Sequence, residues 1–386
     1  MGKQVKTPRF YVDIPTFLHA TGQLGWDEIP DGPKGGAELL YMNPSNPILY
    51  ENDAVEYGKS IFAIGNNDHN YPKTSFPINF CALLNHNLRN NRSGAAGDFR
   101  VIGHWNFPWE TNNPRQEARL VPRDEGNVLN SEFTGELCTS LYNGTTIFTF
   151  ATLDQYWRTF TIYYGSTPQQ NIEAGIHQLG SFVVGRYWDA PNSPDLNLTM
   201  SRRFDGIKRQ KTIGGKTLAN IYYDGPTQWT MYNENHISSE DSPYKYPPFE
   251  LDRPDLLGDI GQTEGFNQKA KSGLGRKGLR SWKLTFSYIA ESDMWMDNEV
   301  SNTLISDSEA DTTLNDHNPM LSDDSFNFVW NCTLGGTLPF IFQPDNSSTG
   351  TNPDRFAICT FRENTLNVKQ VAYNTYSLSI TIDEVA

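Results

Sequence analysis

Cysteine is scarce in this chain. The four present in 386 residues, Cys81, Cys138, Cys332 and Cys359, lie far apart and show no CxxC spacing. That spacing gives no sign of a disulfide frame or a zinc site, and three of the four sit in or beside strand-like runs, so buried thiols are expected. Long hydrophobic runs are missing too: no window of eighteen apolar residues occurs, and no membrane insertion is expected. The opening Met1-Gly2-Lys3-Gln4-Val5-Lys6 has no apolar signal-peptide core, and Lys6 stands where myristoylation needs Ser or Thr. Positive charge is in short supply, with 31 Lys and Arg against 45 Asp and Glu and a net charge of −14. A nucleic-acid binder needs a basic face to neutralise phosphates, so direct sequence-specific nucleic-acid binding is not expected. Aliphatic content is low as well. Hydrophobic residues make up only 37% of the chain, but aromatics reach 13%, and each buried ring removes a large area from water.

What is present points to sheets. The 31 Gly and 23 Pro punctuate the chain throughout and leave little room for long helices. Strand-like runs recur at 9–18, 61–64, 76–84, 99–105, 145–153 and 160–164. A second block opens near Gly180 with the apolar run 182–188. Leu196, Leu198 and Met200 then alternate with polar residues and predict a half-buried strand. Asp205-Gly206 and Gly214-Gly215 are hairpin-turn signals, and 220–223 is a further strand. Trp282, Leu284, Phe286 and Tyr288 alternate with Lys283, Thr285 and Ser287. In the last fifty residues the runs 338–342, 355–361 and 376–382 follow in close order. Period two places Tyr376, Leu378, Ile380 and Ile382 on one strand face and Ser377, Ser379 and Thr381 on the other. Residues 326–331 are read as one more strand, and 297–311 as the only helix-compatible run. The expected fold is mainly β, with β-sandwich-type domains, long loops and few short helices. Its expected parts are 1–178 and 179–386.

Motifs for chemistry are incomplete. Gly273-Leu274-Gly275-Arg276-Lys277-Gly278 matches G-x-G-x-x-G, but a polar loop precedes it and a strand follows. A dinucleotide site needs the reverse, a strand before and a helix after, so a basic loop is expected. Asp307-Ser308-Glu309-Ala310-Asp311 begins like a calcium loop but lacks the Gly and Glu that would shape and close it. The seven histidines never pair at i, i+3 or i+4 spacing. No nucleophile elbow occurs. No catalytic, metal or cofactor residue is assigned, and no enzymatic activity is expected. Trp105-Asn106-Phe107-Pro108-Trp109 is an aromatic patch in which Trp105 and Trp109 are candidate glycan contacts; a buried cluster explains it equally well.

Charge is unevenly spread. Six basic residues (Arg202, Arg203, Lys208, Arg209, Lys211, Lys216) fall within 202–216, and six more within 269–283. Residues 291–324 carry ten acidic residues and no Lys or Arg. Such blocks are either solvated faces or complementary contacts that fix orientation between copies. On the second reading Arg202, Arg203, Lys208, Arg209, Arg276, Lys277, Asp307, Glu309 and Asp311 are candidate inter-subunit contacts.

Several segments together resemble a family of virion structural proteins of tailed phages, marine ones especially. They are Gly185-Arg186-Tyr187-Trp188-Asp189-Ala190-Pro191-Asn192 with its continuation to Met200, Phe204-Asp205-Gly206 and 210–220. Ser281-Trp282-Lys283-Leu284-Thr285-Phe286-Ser287-Tyr288, 338–346, 354–359 and the closing 376–384 continue the likeness, which covers mainly 180–386. The resemblance implies a non-enzymatic minor tail or distal-tail-like protein. It implies a homo-oligomeric ring in contact with other virion tail proteins, made in the host cytoplasm and located in the virion tail. Tail tip, adaptor and capsid-surface positions stay open, as does the alternative of a recognition module for host-surface glycan.

Overall fold

The computed structural model describes residues 5–22, 39–44, 48–52, 58–63, 76–84, 99–104, 117–120, 145–149, 159–164, 175–203, 207–221, 279–296, 323–346 and 356–385. In chain order the first strands are β1 (Arg9–Asp13), β2 (Ile48–Asn52), β3 (Gly58–Ala63), β4 (Phe80–Leu84), β5 (Phe99–His104) and β6 (Glu117–Leu120). Then come β7 (Thr145–Thr149), β8 (Thr159–Tyr164), β9 (Gly175–Leu179), β10 (Ser181–Asp189), β11 (Thr199–Arg203) and β12 (Ile207–Lys211). The last are β13 (Thr217–Ile221), β14 (Leu279–Ala290), β15 (Phe340–Gln343), β16 (Ala357–Phe361), β17 (Val368–Ala372) and β18 (Thr375–Glu384). Three short helices join them among the described residues: α1 (Ile14–Ala20), α2 (Glu291–Met294) and α3 (Phe326–Cys332). The protein is mainly β, as its sequence leads one to expect.

Ten strands form one antiparallel sheet in the order β11-β14-β18-β16-β15-β1-β10-β4-β7, with β17 also paired to β18. A four-stranded sheet (β3-β8-β5-β6) and two ribbons (β2-β9 and β12-β13) are separate from it. The large sheet crosses the expected 178/179 boundary. β1, from the start of the chain, lies between β10 and β15 and pairs with both, Tyr11 standing opposite Tyr187 and Ile341. Such a strand closes contacts across more than 300 residues of sequence, which local pattern cannot reveal.

Alternation along β1 explains why it can sit centrally. Phe10 and Val12 enter the larger core with Phe182, Val184, Phe340, Phe342, Cys359 and Phe361. Tyr11 points to the opposite face, with Phe80, Ala82, Leu84, Val183, Ile341 and Ile358. Strands buried on both faces carry apolar side chains at nearly every position, as β1, β4 and β15 do. Phe10 is the hub, with the rings of Phe342, Trp188, Phe340 and Phe326 at centroid distances of 5.2, 5.6, 5.6 and 5.9 Å.

One expected strand, and the end of another, are helical. Residues 9–18 were expected to continue as strand into a bend, but the chain enters α1 at Ile14. Pro15 falls in the helix's first turn, where its missing N–H costs no intrahelical bond. Residues 326–331 were expected to add a strand and instead form α3. Phe326, Val329 and Cys332 recur at i, i+3, i+6 and are buried, while the left-handed Leu334, Gly335 and Gly336 stop the helix. A run this short fits both periods, and its contacts decide. Arg186 on β10 fixes the entry to α3 by donating to the Asp323 carbonyl and the Asp324 carboxylate. The helix expected at 297–311 lies outside the described residues.

Candidate interaction surface

The sheet is covered unevenly, and the uncovered part is the candidate site. β14 and β18 pair from Ser281↔Asp383 to Ala290↔Thr375. Trp282, Leu284, Phe286, Leu378, Ile380 and Ile382 are buried beneath them. The opposite face is hydroxyl-rich: Lys283 and Ser379 are exposed, Thr285, Ser287, Ser377 and Thr381 are half-buried, and the Thr285 and Ser379 hydroxyls lie 3.5 Å apart. Tyr288 was expected on the core face with Phe286. A β-bulge between Phe286 and Ile289 shifts the phase, so Ile289 is buried and Tyr288 is 71% exposed.

Beyond β14 lies β11, the sheet's end strand, every residue of which is exposed. The half-buried strand expected from Leu196, Leu198 and Met200 is corrected in part: Leu198 is half-buried against the core, but Leu196 is fully exposed and Met200 is 44% exposed. Nothing among the described residues lies beyond β11 in the sheet order to cover it. Arg202 and Arg203 sit on this strand, and charged residues at a sheet edge oppose indiscriminate pairing with other chains.

Not every cation of the basic blocks is a surface charge. Arg280 turns inward and forms a bidentate pair with Glu384 at 2.7 and 2.9 Å, donates to the Phe356 carbonyl at 2.8 Å and lies 5.1 Å from the Trp282 ring. Its side chain is 14% exposed and that of Glu384 10%. Arg362 makes a similar fork with Asp383 at 2.7 and 2.8 Å and also reaches Ser281, but is 54% exposed. Its guanidinium holds the Asp383 carboxyl below the usual carboxylate range. The two pairs are therefore expected to respond differently to truncation. Arg280→Met leaves the Glu384 carboxylate, 10% exposed, with the residue-280 backbone N–H at 2.8 Å but no countercharge, and should destabilise by about 3 kcal/mol. Arg362→Met should cost less than about 1 kcal/mol, because solvent screens an exposed pair. Equal shifts of the urea midpoint in the two variants would contradict this ranking.

The ribbon β12-β13 holds Lys208 and Arg209. It pairs from Ile207↔Ile221 to Lys211↔Thr217, and its turn is closed at both ends of the loop. The Thr212 N–H donates to the Lys216 carbonyl at 2.8 Å, the Gly215 N–H to the Thr212 carbonyl at 2.9 Å, and the Lys216 N–H to the Thr212 hydroxyl at 3.0 Å. Gly215 takes φ +82°, a left-handed conformation that a side chain would strain. Gly214-Gly215 thus forms the turn that the sequence signals. Every residue from Lys208 to Ala219 is exposed.

Arg276, Lys277, Asp307, Glu309, Asp311, Trp105 and Trp109 lie outside the described residues. An open cleft of about 710 Å³ beside Gly336, Phe361 and Glu363 contains one guanidinium, that of Arg362, already engaged by Asp383. No group of three or more potential metal ligands occurs among the described residues. Cys81, Cys332 and Cys359 are buried thiols, and burial raises the pKa of Cys332 and Cys359 well above its usual range, which suppresses the nucleophilic thiolate. No helix among the described residues is long and apolar enough to cross a membrane. The arrangement offers a hydroxyl-bearing sheet face, an exposed edge strand and a cationic ribbon, all suited to contact. No known protein family, curated protein or solved structure matches the chain.

Proposed function

We propose that this chain is a non-enzymatic structural component of a tailed-phage virion, a ring-forming tail protein in contact with other tail proteins. The observation that carries the reading is the uneven cover of the large sheet. Its centre is packed on both faces, while β14, β18 and the edge strand β11 keep a polar, solvent-facing surface. A rigid sheet with an exposed edge suits repeated lateral contact, which in a ring must join two different surfaces of each copy. The fields of opposite sign along the sequence favour such head-to-tail contact, since complementary charge fixes orientation. The resemblance of residues 180–386 to phage tail proteins supplies the setting.

The test is mass spectrometry of purified particles from the source of this sequence, followed by reconstruction. The expected result is the chain at several copies per particle, co-purifying with tail proteins and forming a closed ring. Its absence from particles that contain the other tail proteins overturns the reading.

A further inference from the structure

β1 ends in a buried carboxyl group, and a single hydroxyl ties that group to a distant part of the chain. Asp13 and Thr16 are both buried. The Thr16 hydroxyl donates to Asp13 Oδ2 at 2.5 Å and accepts the Tyr41 N–H at 2.9 Å. The Tyr41 hydroxyl in turn lies 2.8 Å from His19 Nδ1, near the end of α1. Residues 39–44 form a turn in which Tyr41 and Met42 take φ of +63° and +45°, a left-handed conformation that strains both. Leu39 and Leu40 pack into the larger core and Met42 into the smaller, so the turn is clamped down against its backbone preference.

Asp13 Oδ1 has no hydrogen-bond partner among the described residues. On β10 the residue opposite is Gly185, whose bare backbone closes that side: a Cβ there would meet the Val12 carbonyl oxygen at 2.3 Å. The titratable or charged side chains of the surrounding elements are His19 on α1, Tyr41, Arg186 on β10 and Cys81 on β4. His19 is engaged by Tyr41, Arg186 is turned to Asp323 and Asp324, and Cys81 is buried in the larger core. Burial and hydrogen bonds set the proton affinity of Asp13, with no charged neighbour contributing.

We propose that Asp13, Thr16 and Tyr41 form a proton-operated latch, which holds residues 39–44 on α1 while Asp13 is protonated and releases them when it ionises. A carboxylate buried without a countercharge is costly until water reaches it. Gly185 closes one side, so water enters where the strained turn and α1 cover the group, by a local opening that leaves the large sheet paired. Closed, Asp13 keeps its proton up to about pH 7, whereas opened to water it ionises near pH 3.8. Raising pH therefore favours opening between those values and adds nothing further above pH 7. Release withdraws Met42 from the smaller core, where it packs with Tyr11 and Phe80, and so bares apolar surface on one face of the sheet. The latch is independent of the virion reading.

Hydrogen exchange of the full chain, read by mass spectrometry at about pH 5 and about pH 8 and corrected for the intrinsic pH dependence of exchange, tests this. In wild type the protection of residues 39–44 is expected to fall about a hundredfold, about tenfold for each pH unit from about pH 5 to about pH 7. It should also stay below the protection of β18 at both values, since the opening is local. β17, which pairs with β18, should keep its protection. Asp13→Asn should remove the step. Thr16→Val should leave residues 39–44 weakly protected already at the lower pH, and Thr16→Ser, which keeps the hydroxyl, should restore the wild-type profile. His19→Gln should retain the step, because His19 bonds the turn without carrying the proton that works the latch. The wild-type profile decides even where a variant fails to fold: protection of 39–44 that is equal at the two pH values, or equal to that of β18, overturns the proposal. So does a step that survives Asp13→Asn or disappears with His19→Gln, or wild-type protection of residues 39–44 in Thr16→Val.

Discussion

Phe10→Ala is expected to destabilise the protein by about 4 kcal/mol, the range for a large aromatic removed from a packed core. The ring is fully buried and lies within 6 Å, centroid to centroid, of Trp188, Phe326, Phe340 and Phe342. Those four rings come from two strands and a helix, so the cavity left behind cannot close by moving one element. Each aromatic pair also contributes about 0.5–1.5 kcal/mol beyond the area it buries. A domain is typically stable by only about 5–15 kcal/mol, so the loss is a large fraction of the total. Tyr288→Ala is the control, since that ring is 71% exposed and its loss should stay within about 0.5 kcal/mol. Urea unfolding followed by tryptophan fluorescence separates the two. A Phe10→Ala loss below about 1 kcal/mol would mean that β1 is not the central strand of the sheet.

The C-terminal strands were the most legible part of the fold. Leu378, Ile380 and Ile382 are buried, Ser379 is exposed and Ser377 and Thr381 are half-buried, as alternation predicts. β18 shows this because one of its faces meets the core and the other meets solvent, which is when period two is visible in sequence. β14 follows the same pattern up to Phe286 and breaks it at the bulge, which no single residue announces. β11 failed differently. Its apolar Met200 alternates correctly, but the strand is at the sheet's end and every one of its residues is exposed. α3 forms where a strand is expected because seven residues with apolar side chains at both helical and strand spacing carry no decisive period.

The candidate surface was legible by charge and opaque by direction. The basic block at 202–216 appears as expected, with Arg202, Arg203, Lys208 and Arg209 exposed. Arg280 belongs to the second block by composition, yet its fork on Glu384 and its bond to the Phe356 carbonyl make it a structural pin. Glu384 lies more than a hundred residues away, and only antiparallel pairing of β14 with β18 brings it near. Counting cations along the chain cannot distinguish a side chain aimed at solvent from one bound beneath a strand. Arg9 shows the same limit. It pairs with Asp189 through two contacts of 2.6 Å and stacks 3.7 Å from the Tyr187 ring, and nothing near it in sequence announces either partner.

Asp13→Asn is expected to flatten the dependence of stability on pH. Asp13 ends β1, is buried, and accepts a 2.5 Å hydrogen bond from the Thr16 hydroxyl on Oδ2, while its Oδ1 has no hydrogen-bond partner among the described residues. Burial raises its pKa from 3.8 to about 7, with the Thr16 hydroxyl and the backbone N–H groups of Val184 and Thr16 pulling the other way. The unfolded chain therefore releases this proton near pH 3.8, whereas the folded chain holds it until about pH 7. Between those values the folded state binds more protons, so raising pH favours unfolding at about 1.4 kcal/mol per pH unit. The stabilising contribution is complete below pH 3.8 and lost above pH 7, a total of about 4 kcal/mol. Asn cannot ionise and keeps an acceptor for Thr16, but its amide enters a site without a partner, which costs about 1–3 kcal/mol at every pH. The variant should thus be less stable than wild type near pH 4 and more stable near pH 8. The diagnostic is the change in their difference, about 4 kcal/mol across that interval, measured by urea unfolding at each pH. A difference that stays constant from pH 4 to pH 8 would show that Asp13 does not titrate in the fold. Such a result would also place water or a polar partner at Oδ1, at the junction where β1 turns into α1.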